Sequence, residues 1–223
     1  MKIISYILSS TLLFATAYLT AQSTGMVAYS YEYTFSDGVY LSFLQLKNNK
    51  PLPVESVVID AQSSPYETVF EYLDNAKSLK YYNEYGNLSE VAIKDIWGYC
   101  KNGKPYVYYR GAFRLIPFVG SISHFVATVT VYYDTNQSPY YYDPYFYNSN
   151  PGHYYSNEVQ QLIVDMNSGN IMSFDENNVA LLIEGDLELS DEFNSLSKRK
   201  KRKMLFYYIR LYNERQPLML PNQ

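Results

Sequence analysis

The chain has 223 residues, is 47% hydrophobic and carries 18 basic against 22 acidic side chains, a net charge of −4. That length suits one core-bearing domain, or one domain with a small appendage. A single cysteine, Cys100, excludes an internal disulfide framework, and two isolated histidines, His124 and His153, do not make a zinc site. Tyrosine is the outlier, with 27 against 11 phenylalanines and one tryptophan. It combines strand propensity, large contact area and a polar hydroxyl, which suggests a β-rich exported protein with aromatic surface.

Residues 1–21 read as a secretory leader. Lys2 gives a short positive start, residues 3–14 an apolar stretch, and Ala15-Thr16-Ala17 or Ala21 a small-residue cleavage site. The apolar stretch is well short of the ~20 residues that span a bilayer, and no later segment is apolar enough to do so. The expected mature chain works outside the cytoplasm, periplasmic or secreted, and is not membrane-spanning.

Residues 22–174 read as a β-rich body. Residues 27–35 alternate loosely, Asp37-Gly38 signals a tight turn, and residues 39–46 resume the pattern, so a hairpin or a strand-turn-strand is expected there. Residues 54–59 add a short strand. Ser64-Pro65-Tyr66-Glu67 is a helix start, and Val69, Phe70 and Leu73 follow at helical spacing, giving a helix over 65–74. From Ser78 to Tyr133 the pattern is a β-meander, with strands at 79–82, 88–93, 96–100, 106–110, 113–116 and 124–133. In the last of these Phe125, Ala127, Val129 and Val131 share one face, and Val126, Thr128, Thr130 and Tyr132 the other. Residues 134–157 look irregular, with Pro139, Pro144, Pro151 and Gly152 as breakers. Strands at 159–165 and 171–174 then flank a turn carrying Gly169.

The end of the chain, 175–223, turns helical and is expected to pack on the body within one domain. Ser173 and Glu176 match a capping box, and a helix through Val179, Ala180, Leu182 and Ile183 stops at Gly185. Ser190 precedes Asp191 and Glu192, acids suited to a first turn. A helix beginning at Lys198 would place six cations on its positive end, which the macrodipole disfavours, so one long or kinked helix over about 191–213 is expected.

Charge is unevenly spread. Residues 198–223 hold eight basic residues and one acid, a net of +7, which leaves −12 over the rest of the mature chain. The run Lys198, Arg199, Lys200, Lys201, Arg202, Lys203 would suit nucleic acid in another compartment, but export argues against that partner. Three readings remain: a solvated helix face, pairing with the seven acids between Asp175 and Glu192, or contact with anionic lipid head groups or glycans. The second candidate site is the segment containing Tyr140, Tyr141, Tyr142, Tyr145 and Tyr147, which could stack on sugars or hold a protein partner.

Catalytic signatures are absent from the spacing of the letters. There is no H-E-x-x-H, no G-x-S-x-G and no phosphate-cradling glycine loop. Asp165-x-Asn167-x-Gly169 with Glu176 only imitates a calcium loop, since Gly169 offers no side-chain oxygen at the fifth position. Cys100 reads as a small buried residue. No cofactor and no metal are expected. A carboxylate pair, such as Asp134 or Asp143 with Glu158, leaves no spacing rule and stays open.

Read in order, Gly38-Val-Tyr-Leu-Ser-Phe, Asn49-Lys-Pro, the run from Ile96 through Trp97 and Cys100 to Gly103, and Tyr208-Ile-Arg-Leu-Tyr-Asn213 resemble a family of exported proteins of unknown function from Bacteroidota-type Gram-negative bacteria. The resemblance implies a β-rich body with a helical end and supplies no activity and no functional residue. Trp97-Gly98-Tyr99 with Asn102-Gly103 is also similar to one unit of a WG-type β-repeat, present in a single copy. The expected fold is therefore α+β: an antiparallel, Tyr-rich sheet or partial barrel covered by C-terminal helices. The expected function is that of a non-catalytic exported binding or envelope-associated protein, its partner a glycan or an envelope protein. The alternative is a carbohydrate-active or other hydrolase outside the cytoplasm.

Overall fold

The computed structural model describes residues 25–59, 65–134 and 153–222. In chain order the first elements are β1 (Met26–Ala28), β2 (Gly38–Tyr40), α1 (Phe43–Lys47), β3 (Val57–Val58), α2 (Pro65–Asn75), β4 (Ser78–Tyr82) and β5 (Leu88–Ala92). Then come β6 (Gly98–Lys101), β7 (Lys104–Tyr109), β8 (Ala112–Leu115), β9 (Ile122–Asp134), β10 (His153–Asp165) and β11 (Ile171–Ser173). The chain closes with α3 (Glu176–Leu182), α4 (Leu187–Ser195), α5 (Lys198–Arg215) and β12 (Met219–Pro221).

The architecture is α+β: among the described residues antiparallel strands form four sheets, with helices at the C-terminal end and no closed barrel. The meander expected over 78–133 is divided among three of these sheets: β3-β4-β5, β2-β6-β7-β8 and β11-β10-β9. A one-turn 3-10 segment, Ile93–Asp95, redirects the chain between β5 and β6 and buries Ile93 and Ile96 beneath α2. Side-chain alternation marks strands but carries no sign of such a swing.

The longest pairing joins β9 to β10 over thirteen residues, from Ile122↔Asp165 to Asp134↔His153. Residues 153–157, expected to be irregular, are therefore strand. Their polar letters pair across it, as where Thr130 Oγ1 donates to Asn157 Oδ1 at 2.9 Å. On one face of β9, Phe125, Ala127 and Val129 are buried with Leu162 and Val164 in a core that also takes Tyr40, Leu46 and Cys100. The opposite face is buried only near Ile122 and Ile163, where the C-terminal helices lie over it. Farther out Val126, Val159 and Tyr155 are exposed.

The expected hairpin around Asp37-Gly38 does not form. β1 pairs with β12 and β2 with β6. Asp37 instead accepts the backbone N–H groups of Asn102 and Gly103, at 3.0 and 2.8 Å, and so braces the β6–β7 turn. Residues 43–46, expected as strand, fall in α1. Ser42 caps it by accepting from Gln45 N, and the Gln45 amide oxygen accepts from Leu41 N at 2.6 Å. This near-reciprocal capping outweighs the strand-like letters around it.

The helix at Pro65–Asn75 agrees with the expected one, while Ser64, its expected cap, lies outside the described residues. The expected single helix over 191–213 is two helices. α4 is capped by Asp186, which accepts from Leu189 N at 3.0 Å, and Leu196 and Ser197 are extended, so α5 begins at Lys198. Macrodipole repulsion of the cations is worth about 0.3–1 kcal/mol each at an exposed site. It is outweighed by burial of Leu205, Tyr208, Ile209 and Tyr212, at about 1.5–3 kcal/mol for a large apolar side chain. α3 is likewise capped by Asp175, not by Ser173: its carboxylate accepts from Asn177 N and Asn178 N.

Gly98 is the tightest backbone contact in the β6–β7 pair, because a Cβ there would land on the carbonyl oxygen of Tyr106. Gly98→Ala should therefore lower stability by about 2–3 kcal/mol and the melting temperature by about 5–10 °C, read by thermal unfolding. Gly86→Ala meets open space at a positive φ of 74° and should cost only about 1 kcal/mol.

Candidate functional site

The chain leaves β8 through Pro117 and turns at Phe118, whose carbonyl accepts from His124 N at 3.0 Å. That bridge holds the start of β9 and turns the Phe118 ring outward, 67% exposed. α5 runs close by. A Cβ on Gly120 would strike the Asn213 side chain, and Asn213 fastens to β9 with both halves of its amide. Its Oδ1 accepts from Ile122 N at 2.8 Å and its Nδ2 donates to Ile122 O at 2.9 Å.

Between this connector and α5 lies an open recess of about 810 Å³. Tyr29, Ile122, Ile209 and Leu218 line it, Phe118 and Phe206 stand at its edge, and Arg210 and Glu214 supply its charged rim, 4.0 Å apart. His124 joins the recess to an aromatic cluster. Its ring lies 4.7 Å from Phe206 and 5.0 Å from Phe174, both edge-on. Its buried Nε2 has no hydrogen-bond partner among the described residues. Burial holds His124 below the ordinary histidine value, opposed by the nearby Gln161 amide. On the other side of Phe206 a second recess of about 400 Å³ is bounded by Gln161, Phe174, Asp175, Glu176, Arg202 and Lys203.

The six basic residues open α5 and separate into two groups. Arg202 makes a forked pair with Glu176, Nε to Oε1 and Oε2 at 3.1 and 3.2 Å and Nη2 to Oε1 at 3.0 Å, and Lys198 reaches the same carboxylate at 3.5 Å. Lys201 donates to Asn194 and lies over the Phe193 ring. Arg199, Lys200 and Lys203 are exposed and have no ion pair among the described residues. Glu176 is only 12% exposed, and the hydrogen bonds from Arg202 push its carboxyl down to about 2.

Tyr140, Tyr141, Tyr142, Tyr145 and Tyr147 lie outside the described residues, as does the leader. At the base of that segment the Tyr132 and Tyr155 rings meet across the hairpin at 5.4 Å, and Tyr133 donates to Glu158. Asp143 lies outside the described residues, and in the strand register Asp134 pairs with His153, five residues along β10 from Glu158. Cys100 is buried, its Sγ donates to Phe35 O at 3.6 Å, and burial pushes the thiol well up, away from nucleophilic use. Asp165 closes its own turn by accepting from Asn167 N and Ser168 Oγ, while Glu176 is engaged by Arg202. Among the described residues no three His, Cys, Asp or Glu side chains gather where a metal could sit, and no helix is long and apolar enough to cross a membrane.

In comparisons with known proteins, no family model, no curated protein and no solved structure matches the chain.

The Glu176–Arg202 pair ties α3 to α5 with a definite sign in pH. A carboxyl depressed in the folded state stabilises fully above its unfolded value, near 4.5, and loses that contribution as pH falls toward 2. Glu176→Gln should therefore melt below the parent at neutral pH, with the gap closing between pH 4.5 and 2. A gap independent of pH would show that the pair does not fasten the helices.

Proposed function

We propose that this chain is a non-catalytic exported binding protein whose ligand is a small amphiphile lying in the recess between α5 and the β8–β9 connector. The observation that carries the reading is the combination of an apolar recess of about 810 Å³ with a buried, unpartnered imidazole nitrogen on a lining residue and two exposed phenylalanines, Phe118 and Phe206, at its edge. Small-molecule sites have this size and this balance of apolar lining with few polar groups. Arg210 at the rim favours an acidic head, and the lining from Tyr29 to Leu218 favours an apolar body.

Export and the exported-family resemblance rest on the leader-like residues 1–21 and on the motifs of the body and α5. Contact with an envelope glycan or protein through residues 140–147 belongs to the same reading. The buried thiol favours binding over thiol-based hydrolysis.

The experiment is a fluorescence titration of the purified mature chain with a dansyl-labelled undecanoic acid. Saturable enhancement is expected, and Phe118→Asp should weaken it at least about tenfold, the equivalent of about 1.4 kcal/mol. The Phe118 ring is exposed, so melting should be unaffected by that change. No saturable signal, or equal binding by the variant, would sink the reading.

A further inference from the structure

The outer face of α5 is both cationic and aromatic. At 100° per residue the buried side chains Leu205, Tyr208, Ile209 and Tyr212 occupy one arc. Arg199, Lys203, Phe206, Tyr207 and Arg210 fall on the opposite arc, and Lys200 sits at its edge. All six are exposed. The acidic helices meet α5 elsewhere: α3 reaches it through Glu176 and Arg202, and α4 through Asn194 to Lys201 and Glu192 to Tyr208. Hence the seven acids between Asp175 and Glu192 do not neutralise this stripe, whose only acid is Glu214 beside Arg210. Phe118 extends the apolar part of the face, its ring 6.5 Å from that of Phe206.

We infer that this face docks the protein on an anionic phospholipid surface. Arg199, Lys200 and Lys203 would meet head-group phosphates, and Phe118, Phe206 and Tyr207 would enter the head-group boundary. Charge complementarity selects this occupant. Three exposed cations without ion pairs among the described residues stand next to three exposed rings, the arrangement of helices that lie in a membrane interface. A purely solvated face would have no need of exposed phenylalanine, and an acidic protein partner would be matched by charge alone.

The proposal does not depend on the recess holding a ligand, and the two can fail separately. The test is co-sedimentation of the mature chain with phosphatidylcholine vesicles, with and without added phosphatidylglycerol, at low and high salt. Binding is expected only with phosphatidylglycerol and should fall with salt. Replacing Arg199, Lys200 and Lys203 together by Gln should reduce partitioning about a hundredfold, while dansyl-acid binding and melting stay unchanged. Tyr207→Ser, which lies outside the recess, should weaken vesicle binding by a smaller factor. Absence of sedimentation, equal binding to neutral vesicles, or full binding by the triple variant would overturn the inference. Loss of dansyl-acid binding with sedimentation intact would remove only the recess reading.

Discussion

The fold's C-terminal half depends on one clamp, the Asn213 amide closed over both backbone groups of Ile122. β9 begins at that residue, so its first N–H and C=O on this side would otherwise lack partners beneath a helix. A single planar amide satisfies both, and it can do so only at one height and one rotation of α5. Neighbouring contacts agree with that setting. Ser121 Oγ donates to Gln216 O at 2.5 Å just past the helix end, and Met166 N donates to Ser121 O at 2.9 Å from the β10–β11 turn. The glycine at 120 is what allows the amide in, since any side chain there would occupy its space. Once α5 is set, its end delivers Leu218 and Leu220 into the main core, and β12 closes on β1. The recess exists because α5 is held at Asn213 and spread from the connector by the aromatic rings farther along.

Electrostatics fastens the same helices without deciding where they lie. Six cations at the positive end of α5 are an unfavourable arrangement in isolation. The structure answers it locally, by aiming the Glu176 carboxylate from the first turn of α3 at Arg202 and Lys198. At its other end α5 carries Arg215, a favourable placement, which reaches Asp186 at 3.3 Å and Glu188 at 3.1 Å around the start of α4. Asp186 thus caps α4 while accepting from Arg215, and the Leu189 backbone N–H, with Arg215 after it, holds its carboxyl below the ordinary value. The exposed pairs are individually weak. Their importance is geometric, because they tie the acids to the flanks of α5 and leave its outer face positive.

How much of this was legible from the letters depends on the range of the interaction. Alternation through Phe125, Ala127 and Val129 marked β9 correctly because one face of that strand is buried along most of its length. The helix expected over 65–74 was legible because its signals are local. α1 was hidden, as five residues of mixed letters between strand-like neighbours weigh less than the alternation around them. Ser42 followed three residues later by Gln45 was the available signal. The break at Leu196 and Ser197 followed from tertiary packing overriding the macrodipole argument. The recess had no sequence signature. Its walls come from residue 29, residues 118–124, residues 206–214 and residues 217–218, and only the β9–α5 clamp unites them.

Tyrosine and phenylalanine divide the aromatic work along chemical lines. Many tyrosines suggested an aromatic binding surface, yet several in the described residues are internal fasteners. Tyr40 is fully buried, and its hydroxyl donates to Ser36 O at 2.8 Å and Asn49 Oδ1 at 2.9 Å, tying the segment before β2 to the end of α1. Tyr208 donates to Glu192 at 2.9 Å and so joins α5 to α4. Burial, with the neighbouring carboxylate second, pushes its phenol up to about 12. Tyr72 does the same for α2 and β4 through Ser78 O. A buried ring with a hydroxyl end is useful where an apolar core must also satisfy a polar edge. Phenylalanine lacks that end, so an exposed phenylalanine offers only apolar contact. Among the described residues Phe118 and Phe206 are the phenylalanines most exposed to solvent, and they stand together at the recess and on the cationic face. Their placement, more than the abundance of tyrosine, distinguishes this side of the molecule from the rest of its surface.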